Sequence, residues 1–115
     1  MSIQKYEKLV RSKIPAIIKA DGQIPVWRMI THVPTMLRYL LDKKLYEEIS
    51  ELKKAKKEKD ILFEAADVVQ VIYDYVEKRG VSSEKIERIR RARLKDRGSF
   101  DGTYLESIEI PDGQQ

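Results

Sequence analysis

The stretch EEISELKKAKKEKDILFEAAD, residues 47–67, decides how this chain folds. It holds two acidic pairs, Glu48/Glu51 and Glu64/Asp67, each with members three residues apart. On a helix, i and i+3 share a side. The lysine-rich stretch from Lys53 to Lys59 lies between the pairs and reads as a turn. Two helices folded back on each other here would converge four carboxylates. Their mutual repulsion is costly unless protons or hard cations are present.

Outward from this stretch the pattern stays helical. Leu37, Leu41, Leu45, Ile49 and Leu52 form an apolar stripe, which predicts a helix from about Pro34 to Lys57. At roughly 100° per residue, Glu48 lies only about 40° from the stripe's centre, and Glu51 about 100° away. Glu48 therefore faces the core and Glu51 flanks it, while Glu47 lies further out. The segment from Asp60 to Lys78 is apolar almost all round, which predicts a buried central helix. Asp60, Glu64, Asp67 and Asp74 form an acidic seam along it. An ionised carboxylate among apolar neighbours is expensive unless paired or metal-bound.

The rest of the chain adds two helices and two short extended segments. Lys13-Ile14-Pro15 opens a helix that Asp21-Gly22 stops. Ser82 or Ser83 caps another, which runs to about Arg97 and ends at Gly98. Residues 26–30 read as a strand, and the alternating segment 103–110 as its partner. The expected fold is mainly α: a small helical bundle with a minor two-stranded β element near the termini. No linker or repeat divides the sequence, so residues 1–115 are expected to form one domain.

Composition narrows the chemistry. No cysteine is present, which excludes disulfides, thiol nucleophiles and zinc-thiolate sites. His32 is the only histidine and reads as a turn or capping residue. The absence of any Glu-x-x-His motif argues against a di-iron oxidase. Any metal site is therefore expected to be an oxygen site, which suits Mg²⁺ or Mn²⁺. The lone Trp27 reads as core. No apolar run approaches a membrane span and no signal peptide is evident, so the expected location is the cytoplasm. Charged residues make up 37% of the chain, with formal net charge +4. Seven basic residues lie between Lys85 and Arg97, but Glu84, Glu87 and Asp96 interrupt them and no aromatic is interleaved. That argues against a nucleic-acid surface and for a solvated, ion-paired helix face.

The EExxE…ExxD arrangement resembles the MazG-like nucleotide pyrophosphohydrolase superfamily, which includes phosphoribosyl-ATP pyrophosphohydrolase. Two flanks extend the likeness. KLVRSKIPAII, Lys8 to Ile18, is similar to the KLVRDKIP opening of a short stand-alone branch. RLKDRGSF, Arg93 to Phe100, is similar to its closing segment, which typically ends RGGF. Ser12 stands where the branch usually has aspartate, and Ser99 where it usually has the second glycine.

The resemblance implies the all-α NTP pyrophosphatase fold and cleavage of a nucleoside triphosphate between its α- and β-phosphates. The products would be the monophosphate and pyrophosphate, in the removal of unwanted nucleotides. It implies Mg²⁺, with Mn²⁺ as a substitute, held by Glu48, Glu51, Glu64 and Asp67. Glu48 and Glu51 would also be catalytic, and Glu47 would hold a second ion or orient water. Arg11, Lys13, Arg93 and Arg97 would contact the substrate's phosphates. A homodimer or higher homo-oligomer is expected. The alternative class is a non-catalytic helical module that uses the acidic seam to bind a nucleotide or a basic partner.

Overall fold

A computed structural model of the chain describes residues 2–113. It contains four helices: α1 (Ile14–Ala20), α2 (Pro34–Lys54), α3 (Glu58–Glu77) and α4 (Ser83–Arg97). Two compact units are distinguished, residues 1–83 and 84–115. Among the described residues, no helix is long and apolar enough to cross a membrane.

The helix ends follow local chemistry. Proline stands in the first turn of α1 and of α2, where no intrahelical N–H bond is lost. Beyond α3, Gly80 takes φ 82°, open to glycine and strained for other residues. Its N–H donates to the Glu77 carbonyl and that of Val81 to the Val76 carbonyl, both at 3.0 Å. This pair of bonds is the Schellman closure.

Within the first unit, α2 and α3 pack on each other. Only residues 55–57 join them, and so short a link makes neighbouring helices antiparallel. Their contact runs along the leucine stripe of α2. Leu41, at its centre, is buried, and Leu37, Leu45 and Leu52 are half-buried. The helix pair thereby sets the faces that carry the acidic residues opposite each other.

Two expectations need correction. The two-stranded β element is not formed: among the described residues, segments 26–30 and 103–110 carry no strand. A lone pair of strands is marginal in water unless a third strand or a helix covers its apolar face. Here that covering is missing, since Val26 is 96% exposed and Tyr104 85%. Trp27, read as core, is exposed for the same reason. The second correction concerns α3, which holds no buried residue within one chain. A helix that is apolar all round needs several neighbours. In its unit α3 packs on α2, and Ile61, Leu62 and Phe63 remain exposed.

Candidate metal centre

The leucine stripe that seats α2 against α3 also places Glu48, three residues after Leu45, at the edge of the helix contact. Its side chain keeps only 13% of its accessibility. On α3 the i, i+3 pair Glu64 and Asp67 is half-buried. Glu48, Glu64 and Asp67 each offer a carboxylate oxygen within 4.8 Å of the others. Residues far apart in sequence thus meet because the antiparallel hairpin folds one acidic pair over the other.

The electrostatics are those of crowded anions. The Glu48 carboxyl is pushed above the usual carboxylate range, chiefly by burial. Lys44 opposes that rise, while the charges of Asp67, Glu47 and Glu64 add to it. Three basic side chains approach. Arg11 donates from Nη2 to Oδ1 of Asp67 at 2.5 Å. Lys44 Nζ lies 3.3 Å from Glu47 Oε2 and 3.7 Å from Glu48 Oε1. Lys8 Nζ lies 3.6 Å from the other oxygen of Glu47. Among the described residues no cation stands within ion-pair distance of Glu64.

These positions bear differently on the residues singled out from sequence. Glu48, Glu64 and Asp67 come together. Glu51 is exposed one turn further along α2 and lies outside the three-carboxylate group. Glu47 is engaged by two lysines. Arg11 reaches the cluster, whereas Lys13 occupies the N-cap of α1 and makes no ion pair among the described residues. Arg93 and Arg97 are exposed on α4. His32 is exposed in the turn before α2, and Val33 holds the N-cap instead. Lys44 was missed, although its place three and four residues before Glu47 and Glu48 is the ordinary helical spacing for an ion pair.

The donor set fits a hard divalent cation. Every oxygen is anionic, and opposite ligands of one Mg²⁺ lie about 4.2 Å apart at most, from bond lengths near 2.1 Å. Carboxylate oxygens that all lie within 4.8 Å of one another are close to that span. Next to Glu48 along α2 lies a groove of about 350 Å³ that Lys44 and Glu47 help to line. Tyr6, Leu9 and Leu40 give this groove an apolar wall, and its charged lining is mixed, with Lys8, Lys43 and Lys44 beside Glu7 and Glu47.

The protein-family comparison agrees with this chemistry. The family model described as phosphoribosyl-ATP pyrophosphohydrolase matches residues 29–93, a span that includes all of α2 and α3. No curated protein and no solved structure matches the chain. Such pyrophosphohydrolases are typically metal-dependent, and an acidic cluster is present here. With more than half of its length matched, and with the carboxylates of its helical hairpin converging, the chain belongs to the phosphoribosyl-ATP pyrophosphohydrolase family, within the MazG-like superfamily.

Proposed function

We propose that this chain is a Mg²⁺-dependent nucleoside triphosphate pyrophosphohydrolase that releases a nucleoside monophosphate and pyrophosphate. The observation that carries this reading is the meeting of Glu48, Glu64 and Asp67 in a member of a pyrophosphohydrolase family. Glu48, Glu64 and Asp67, with Glu51 after a change of rotamer, would hold the cation. Mn²⁺ has the same preference for oxygen ligands and would substitute. When bound, the cation would supply charge neutralisation at the phosphates and would lower the pKa of a water.

The remaining roles belong to the chain's own groups. Water attacks phosphorus, the bridging P–O bond between the α- and β-phosphates breaks, and the water's proton passes to a carboxylate. Glu47, held in place by Lys8 and Lys44, would orient that water or hold a second ion. Arg11 and Lys13 would attract the substrate's phosphates, with Arg93 and Arg97 as further candidates. The groove beside Glu47 offers three lysines and an apolar wall to a ligand that carries both anionic and apolar portions, with Glu7 and Glu47 also in its lining. The whole chain is read as one functional domain.

A homodimer or higher homo-oligomer accords with Leu41 being the single buried hydrophobic among the described residues, and with the exposed apolar side chains of α3. Sedimentation at micromolar concentration tests it, and a monomer there would remove this part of the reading.

The activity is tested by incubating the protein with Mg²⁺ and a panel of nucleotides, including phosphoribosyl-ATP. Pyrophosphate release is followed against orthophosphate. Pyrophosphate from at least one nucleotide is expected. No pyrophosphate from any would end the proposal, and orthophosphate alone would relocate the bond that breaks.

A further inference from the structure

The contact between Arg11 and Asp67 joins residues 56 positions apart, and it uses a carboxylate of the three-acid cluster. A guanidinium on Asp67 and a divalent cation among the same oxygens repel each other strongly at this separation. Both are drawn to the same negative charge. They are therefore competitors.

We propose that Arg11 is the resident counter-ion of the cluster, displaced when a divalent cation binds, so that cation binding removes one of the two ion pairs that tie the N-terminal strap to the helices. This rests on the reading of the cluster as a cation site. Charge balance supports it. Glu47, Glu48, Glu64 and Asp67 face Lys8, Arg11 and Lys44, and Glu64 has no cation of its own among the described residues. The resident bases leave negative charge uncompensated, and a divalent ion exchanged for Arg11 corrects that deficit.

Residues 2–12 carry no helix or strand, and Arg11 is 59% exposed, so its departure uncovers little. Glu7 sits at φ 48°, a left-handed conformation uncommon for a residue with a side chain. Lys8 on Glu47 and Arg11 on Asp67 are the ion pairs that tie the strap to α2 and α3. Once released, the Arg11 guanidinium presents its donors to an incoming anion.

The test is a Mn²⁺ titration by calorimetry on the nucleotide-free protein. Arg11→Gln is expected to bind Mn²⁺ about tenfold more tightly than wild type, the lower end of what a charge-assisted hydrogen bond is worth. Lys5→Gln makes the same charge change on the same strap and serves as the comparison. Equal affinity in the two variants, or weaker binding by Arg11→Gln, would overturn the proposal. Weaker binding would make Arg11 a residue that orients Asp67. If neither wild type nor Arg11→Gln binds Mn²⁺, the cation reading itself has failed, a pattern distinct from the first two. Wild-type protein supplies a second readout that needs no variant. Trypsin cleavage after Arg11 should accelerate several-fold when Mn²⁺ is added. An unchanged rate would count against displacement.

Discussion

Glu48 on α2 and Glu87 on α4 are the same residue type on two helices of one chain, yet their carboxyls are driven in opposite directions. Glu48 is raised, by burial first and by neighbouring acids, against one opposing lysine. Glu87 is lowered to about 2, first by hydrogen bonds from Arg90 and then from Arg91. The Arg90 bonds measure 2.6 and 3.0 Å, and the Arg91 bond 3.2 Å. The α4 acid is satisfied within one turn of its own helix. The α2 acid meets α3 and finds more carboxylates. Charge density alone does not separate the two regions, because α4 is the more highly charged. What separates them is whether each charge finds its complement locally or is forced against its own kind by packing. The second condition makes a ligand site.

The largest effect should come from breaking the crowded region alone. Glu48→Gln or Asp67→Asn should lower Mg²⁺-dependent pyrophosphate release by more than about 100-fold, since even residues that merely support metal ligands cost 10–100-fold. Glu87→Gln should leave turnover within about twofold, as a surface substitution does. Steady-state rates check both, and full turnover in either site variant would erase the distinction between the helices.

Glu51 sharpens the boundary of the site. Glu51→Gln should weaken Mn²⁺ binding by about tenfold, the lower end of the range for a supporting residue, with the circular dichroism spectrum unchanged. Wild-type affinity in calorimetry would remove Glu51 from the ligand set.

The stability effects are smaller and opposite in sign. A raised carboxyl pKa means that ionised Glu48 costs stability at neutral pH. The cost disappears as pH falls through the raised folded value towards 4.5. Metal-free Glu48→Gln should therefore melt a few degrees higher than wild type at pH 7, and at the same temperature below pH 4.5. For Glu87 the sign reverses. Its contribution is present above 4.5 and is lost as pH falls towards about 2. Because the arginine partners of Glu87 are exposed and such pairs are screened by salt, the loss should be slight. It should register in NMR as fraying of α4, weaker at high ionic strength.

Much of the scaffold was legible in the sequence because its causes are local. Pro15, Pro34 and Gly80 mark helix ends through backbone geometry, and the leucine stripe of α2 follows from helical periodicity. The i, i+3 spacing of Glu64 and Asp67 requires nothing beyond a helix. The strands were misjudged because alternation predicts an extended chain without supplying a surface to cover it. Ile24 and Ile108 remain 81% and 74% exposed. Burial of α3 was misjudged because a hydrophobic pattern records demand for contacts, whereas one neighbouring helix limits their supply.

The sequence by itself determined the helices, the faces on which acids and leucines fall, and the absence of any thiolate ligand. Local sterics and side-chain chemistry are enough for that. Only the tertiary structure decided which acids meet and which bases answer them. Glu48, Glu64 and Asp67 converge, Glu51 stays outside, and Arg11 reaches across 56 positions to Asp67. The physical reason is that Coulomb interactions depend on distance in space, and the closing of one helical hairpin sets those distances.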